Sequence, residues 1–121
     1  GLAYLAALRG DRTEFERRAR RVDPALEQLP EALQAELLYE RGLSHYTLGD
    51  LDAAESWLGK ARARSEAWGV NKVFFDAEAA LEEIRAGRPV HGLDVLPDET
   101  AAEAAEAFLG RELRTMRAQL V

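Results

Sequence analysis

The stretch Ala35–Trp68, AELLYERGLSHYTLGDLDAAESWLGKARARSEAW, has small and large residues at the spacing of two packed helices joined by a Gly-Asp turn. Two antiparallel helices approach closely only where some contact residues lack bulk. The small positions are Gly42, Ala54 and Ala61, and the large residues expected to fill the space between the helices are Leu38, Leu51 and Leu58. The stretch therefore predicts a tightly packed helical hairpin.

In this register the stretch resembles a tetratricopeptide repeat, a helical hairpin of 34 residues. The residues that carry the resemblance are Leu38, Gly42, Gly49, Asp50, Leu51, Ala54, Leu58 and Ala61. The match is incomplete, because Arg41 stands where the family prefers Leu and His45 where it prefers Tyr. The resemblance implies an all-α fold of antiparallel helical hairpins, stacked as a right-handed solenoid with a C-terminal closing helix.

Repeats bury their faces only against one another, so the Gly-Asp turn should recur. Gly10-Asp11 lies 39 residues upstream of Gly49-Asp50, and Gly87-Arg88 lies 38 residues downstream. This period exceeds that of a strict array and resembles divergent arrays in bacterial signalling and transcription-activator proteins.

The predicted organisation is a single helical domain over 1–121, starting inside a helical pattern as a fragment of a longer protein would. Its parts are a truncated first repeat (1–34), the best-matching repeat (35–68), the first helix of a degenerate third repeat (70–88), a linker (89–97) and a C-terminal helix (98–120). Within these parts we predict helices at 2–9, 12–22, from Pro30 to Thr47, 51–68 and 70–86, and a short turn or helix at 25–29.

The C-terminal helix is predicted to open at Asp98 as its cap, with Glu99 in its first turn. One side of this helix is apolar and carries Ala101, Ala105, Phe108, Leu109, Leu113, Met116 and Leu120. This stripe is expected to be buried, either as a cap over the last hairpin or in the groove of its own or a neighbouring chain.

The family resemblance further implies a concave groove lined by the first helix of each pair. The corresponding residues are Glu36, Tyr39, Leu43 and Tyr46 in the best repeat and Phe74, Ala77, Leu81 and Ile84 in the third. Most are apolar, so the partner-binding groove is expected to comprise Tyr39, Leu43, Tyr46, Phe74, Leu81 and Ile84 and to bind an apolar peptide or helix. The Lys and Asn residues of a carboxylate clamp are missing from these positions. Replacing Tyr39 and Leu43 by Glu is expected to abolish binding without unfolding.

The first functional hypothesis is thus a protein–protein interaction module, an adaptor or scaffold. An alternative is the regulatory or oligomerisation arm of a larger bacterial transcription regulator, which the long period and the abrupt start favour. A third is self-association through repeat ends, where Tyr4 and Leu8 would form an apolar edge.

Composition narrows the setting of these hypotheses. The 121 residues include no Cys and no apolar run long enough for a membrane span, so we expect a cytoplasmic protein without disulfides. The 14 Arg against 2 Lys indicate a GC-rich, bacterial genome. Residues 9–22 hold six Arg, but interspersed Glu residues and a net charge of −6 argue against direct nucleic-acid binding.

Catalysis is not expected, and neither is a cofactor or metal site. The only two histidines, His45 and His91, have no ligand spacing, and no phosphate loop or nucleophile motif is present. His45 is predicted to pack between helices and His91 to be an ordinary loop residue. Trp57 and Trp68 are either core residues or binding hot spots.

Overall fold

A computed structural model describes residues 2–91, 93 and 100–119, and their regular secondary structure is entirely helical. In chain order the elements are α1 (Leu2–Leu8), α2 (Arg12–Val22), a 3₁₀ helix (Asp23–Gln28), α3 (Glu31–Thr47), α4 (Leu51–Trp68), α5 (Asn71–Arg85) and α6 (Ala101–Gln119). The all-α prediction is confirmed for these residues. The predicted bounds of α2 and α4 match the structure, those of α1 and α3 differ by one residue at one end, and those of α5 differ by one residue at each end.

The three glycines predicted as counterparts share one turn geometry. Gly10, Gly49 and Gly87 have positive φ angles of 76°, 84° and 71° and follow the ends of α1, α3 and α5. At Gly49 the next backbone N–H, that of Asp50, donates to the carbonyl of His45 at 2.9 Å, which closes the last turn of α3. A left-handed residue at a helix end favours glycine, which lacks the Cβ that strains this conformation.

The α3–α4 hairpin is packed as closely as its small residues predict. A Cβ added to Gly42 would lie 2.6 Å from the Cγ atom of Leu58, so the two helices meet there without room for a methyl group. The predicted packing residues Leu38, Ala54, Leu58 and Ala61 are all buried, whereas Gly49 lies in the exposed turn. The core of the chain is therefore built around this hairpin.

The expectation that Leu51 fills space between the helices is wrong, because its side chain is 50% exposed. Leu51 is the first residue of α4 and follows directly on the Gly49-Asp50 turn. It thus lies at the turn end of the hairpin, two helical turns from the buried Leu58.

Further helices are added on both sides of this hairpin. α5 packs on α4, and the α1–α2 hairpin packs on α3, chiefly through α1 and also through Phe15 of α2. α6 packs chiefly on α3, with smaller contacts to α1 and α2. It therefore lies on the α3 side of the chain and does not cover the last hairpin beside α5, where a cap was predicted.

The start of α6 is fixed by hydrogen bonds to its first turn. Thr100 Oγ1 accepts from the Glu103 N–H at 3.3 Å, while the Glu103 carboxylate accepts from the Thr100 N–H at 3.4 Å, the reciprocal pattern of a capping box. The Ala101 N–H donates to Glu40 of α3 at 2.7 Å. The predicted cap Asp98, its neighbour Glu99 and residues 92 and 94–97 of the predicted linker lie outside the described residues.

The apolar stripe of α6 is buried only along its first half. Ala101 and Ala105 are buried against Val22, Leu29 and Leu37, and Phe108 and Leu109 are half-buried. Leu113 and Met116 are 48% and 59% exposed, which contradicts the expectation that the whole stripe is covered. The helix runs beyond the helices that it packs on. Leu120 lies outside the described residues.

No helix in the described ranges is long and apolar enough to cross a membrane.

Candidate functional site

Five of the six predicted groove residues meet in one cluster, which we call the groove cluster. Leu43 and Leu81 are buried in it, and Tyr39, Tyr46 and Ile84 pack against them from the same two helices, α3 and α5. Tyr4 and Leu8 of α1 complete one side, so the edge predicted for self-association is packed inside the chain. Leu58 of α4 and Ala80 of α5 are also buried in it, so the cluster draws on four helices, α1, α3, α4 and α5.

The remaining predicted groove positions lie elsewhere. Phe74 is half-buried outside the groove cluster and makes an edge-to-face contact with Phe75, with ring centroids 5.4 Å apart. Ala77 is buried with Ala35 and Ala61 in a separate cluster, and Glu36 is exposed. The motif positions that the resemblance assigns to the third unit therefore predict only part of the groove surface of α5.

The groove cluster is covered by the chain itself, in the segment that follows α5. Val90 is only 7% exposed and belongs to the cluster, and Leu93 packs against it. The Val90 N–H donates to the Tyr46 hydroxyl at 3.3 Å. The pattern of residues 89–97 is that of a linker, and the one signal in the sequence for a buried Val90 is that a β-branched residue stands between Pro89 and His91.

His91 fastens the same segment to α5. Its backbone N–H donates to Glu83 Oε2 at 3.0 Å, and its ring Nδ1 lies 2.6 Å from Glu83 Oε1. These hydrogen bonds lower the pKa of Glu83. The prediction of an ordinary loop residue for His91 missed this role, although the ring is largely exposed. An apolar side chain and two flanking polar contacts thus hold the segment on the groove cluster.

The pKa of the Tyr39 hydroxyl is raised by its burial in this cluster. Burial, with smaller effects of Asp76, Tyr4 and Glu83, raises the pKa of Tyr39 to about 12. Burial also raises the pKa of Tyr4. The Tyr39 phenol therefore stays neutral in the folded state at pH values at which a free tyrosine ionises.

Tyr39→Phe is expected to make the protein less sensitive to alkaline pH. Because the folded-state pKa is raised, the stabilisation is fully present below pH 10 and is lost as the pH rises towards 12, where the unfolded chain releases the proton first. Between pH 9 and pH 11.5 the wild type should lose about 2 kcal/mol more unfolding free energy than the variant, measured by urea denaturation. Equal losses would show that the ring is not shielded from water.

Glu40 joins the groove side of α3 to the start of α6. Its carboxylate accepts from the Ala101 and Ala102 N–H groups, at 2.7 and 3.4 Å, where the positive end of the helix dipole favours a negative charge. Burial raises the pKa of Glu40, and the bonds from α6 offset part of that effect. The side chain thus positions α6 against α3.

A second group of polar and aromatic residues lies between α2, α3 and α4. Arg41, only 3% exposed, donates to Asp23 Oδ1 at 2.7 Å and lies against the rings of Phe15 and Trp57, 5.3 and 5.7 Å from their centroids. His45 packs between the same two rings, as predicted for a helix-packing residue. The two departures from the repeat motif are thus accommodated by one pair of aromatic side chains.

A shallow cavity of about 190 Å³ opens beside this group. Its lining is Phe15, Glu16, Ala19, Arg20, Asp23, Arg41 and His45. Each arginine there is matched by a carboxylate, at 2.7 Å for Arg41–Asp23 and 3.8 Å for Arg20–Glu16. The lining therefore offers no unbalanced charge for an ionic ligand. Among the described residues, no group of acidic residues and histidines is arranged to hold a metal ion.

The arginines of α2 pair with glutamates of the same helix, as their spacing predicts. Glu14 accepts from Arg17 at 2.6 Å and also from Arg18, which lowers the pKa of Glu14. Arg12 instead forms an ion pair with Asp50 at 2.5 Å, which links the turn at Gly10-Asp11 to the turn at Gly49-Asp50. Much of the positive charge of this helix is neutralised locally.

Comparisons of the chain with models of protein families, with curated proteins and with solved structures found no significant match.

Proposed function

We propose that this chain is a protein–protein interaction module with a tetratricopeptide-like architecture, a non-enzymatic adaptor or scaffold that binds an apolar peptide on the groove cluster. One observation carries the proposal. The groove cluster already holds an apolar residue of a non-helical segment, Val90, together with a hydrogen bond from its backbone. A surface that binds one such segment has the chemistry to bind another of the same kind.

The architecture is supported by the shared turns at Gly10, Gly49 and Gly87 and by the close approach at Gly42. Small residues at helix contacts and glycine turns at a near-constant period are what a stacked hairpin array requires. A right-handed solenoid remains part of the proposal.

In this account the segment around Val90 competes with an external peptide. Polar atoms of the segment are matched by Tyr46 and Glu83, so displacement exposes the cluster and frees both partners. The partner is therefore expected to present a bulky aliphatic residue with a free backbone N–H beside it. The groove then acts in two states, closed by its own chain or occupied in trans.

Val90→Ser is expected to open the groove. The probe is a labelled peptide of residues 87–94, GRPVHGLD, titrated with protein and followed by fluorescence anisotropy. The variant should bind at least about tenfold more tightly than the wild type, because a competing intramolecular segment lowers apparent affinity in proportion to its occupancy. Arg88→Ser, at an exposed position of the same segment, is the matched control and should bind like the wild type.

A second substitution tests the location. Leu43 is buried, so the Tyr39 and Leu43 double exchange to Glu would damage the core, contrary to the earlier expectation. Ile84 is half-buried at the rim, and Ile84→Glu in the Val90→Ser background should abolish peptide binding while circular dichroism stays helical. Retained binding would place the peptide elsewhere.

The alternative function, an oligomerisation or regulatory arm of a larger bacterial transcription regulator, is favoured by a different observation. The distal half of α6 presents Leu113 and Met116 to solvent on a helix that extends past the body. Exposed apolar residues in such a row are typical of an association surface.

A further inference from the structure

The distal half of α6 has the pattern of a short coiled-coil seam. Every residue from Arg111 to Gln119 is exposed, and Leu109, at the edge of this half, is half-buried. Leu109, Leu113 and Met116 follow one another by four and then three residues and so lie on one face of the helix. With Leu113 at position a of a heptad, Leu109 and Met116 both fall at position d.

The charged residues beside this seam are complementary across a parallel pair. Glu112 falls at position g and Arg117 at position e, the positions whose ion pairs set the orientation of coiled coils. In a parallel pair, the g residue of one helix faces the e residue five places later on its partner, which is the spacing from Glu112 to Arg117. An antiparallel pair would instead bring Glu112 against Glu112 and Arg117 against Arg117. Within the described residues neither side chain has an ion-pair partner in its own chain.

We propose that the distal half of α6 pairs in parallel with the same segment of a second copy of this chain, with Glu112 of each copy bound to Arg117 of the other. This inference rests on the oligomerisation candidate and is independent of the groove cluster, whose residues lie on other helices. A failed test of α6 pairing therefore does not affect the proposal that the groove cluster binds a peptide, and the reverse also holds. Arg111 and Arg114 lie away from the seam and keep the outer face of the pair charged.

The size of the seam sets the strength of the contact. Residues 109–119 span about 16 Å of helix, so the buried area falls well below the roughly 1,600 Å² of a standard interface. Association is therefore expected to be weak and transient. Because it depends on exposed ion pairs, it should weaken further as salt rises.

Charge exchange tests the partner assignment. In sedimentation equilibrium over a concentration series, Arg117→Glu should raise the dimer dissociation constant at least about fivefold, since it places two carboxylates opposite each other. The double variant Glu112→Arg, Arg117→Glu should restore association, and Arg114→Glu, the matched change off the seam, should leave it unaltered. Equal effects of Arg114→Glu and Arg117→Glu would overturn the proposal, as would a wild type that stays monomeric at millimolar concentration.

Single cysteines test the orientation without interference, because these 121 residues include no cysteine. Leu113→Cys and Met116→Cys, both at exposed positions, should each form a disulfide-linked dimer on mild oxidation, since a parallel pair brings both layers against themselves. An antiparallel two-fold pair can do so at one layer only, so cross-linking at one position alone contradicts the proposal. A Phe75→Cys, Leu113→Cys double variant that links position 75 to position 113 of a second copy would place α6 on the exposed Phe75 of α5 and would also overturn it.

Discussion

Replacing Leu58 by alanine is expected to lower the free energy of unfolding by about 3 to 5 kcal/mol. Leu58 is 0% exposed and lies against the backbone of Gly42, where α3 and α4 are too close to leave room for rearrangement. Removing its side chain loses burial and leaves a cavity that the rigid hairpin cannot fill. Urea denaturation monitored by circular dichroism measures the change.

Leu51→Ala is the matched control on the same helix. The repeat motif assigns Leu51 and Leu58 similar packing roles, but half of the Leu51 side chain is exposed. Its truncation should change stability by no more than about 0.5 kcal/mol. Similar losses from both substitutions would mean that the end of the hairpin is packed as tightly as its centre, contrary to this structure.

Gly42→Ala is expected to destabilise the protein by about 1 to 3 kcal/mol, although alanine is the better helix former. The added Cβ would lie 2.6 Å from Leu58 Cγ and 3.2 Å from the backbone nitrogen of Leu58. A side chain alone could rotate away, but the backbone contact forces the two helices apart. The expected readout is a lower denaturation midpoint with an unchanged urea dependence.

Gly59→Ala, one residue after Leu58, should have the opposite sign. It lies inside α4, and among the described residues no atom beyond its own stretch of helix is within 4 Å of the position of a new Cβ. Alanine there should raise stability by about 0.5 to 1 kcal/mol through helix propensity alone. A stabilising Gly42→Ala would show that α3 and α4 are not in close contact at this point.

The helix bounds were largely predictable because the sequence marks them with local chemistry. Pro30 precedes α3, Gly49 follows its end, and Gly69 ends α4 with a positive φ. Such signals act within a few residues and need no knowledge of tertiary structure. The buried small residues of the hairpin were predictable for the same reason, since their spacing follows the helical period.

The occupancy of the groove cluster was not predictable, because it depends on one residue in a segment with no period. Val90 becomes buried through contacts within the groove cluster, some of them with residues more than 40 positions away, such as Tyr46. Hydrophobic periodicity shows which face of a helix is apolar, but it does not predict which irregular segment packs on that face.

The position of α6 depends likewise on a long-range contact. Glu40 binds the start of a helix 61 residues later in the chain. From sequence alone, Glu40 is one of many carboxylates on amphipathic helices. Arg41 is a similar case, because its burial relies on Phe15 and Trp57 from two other helices.

The most direct test of the central claim is a methyl-detected NMR experiment on the full chain with labelled valines. In the free protein, we expect nuclear Overhauser contacts from the Val90 methyl groups to the Tyr46 ring and to Leu43. Titration with an apolar peptide should remove these contacts and replace them with contacts from the peptide. A Val90 without contacts to the cluster, or a peptide that binds while those contacts persist, would contradict the proposal that the groove cluster is the binding site.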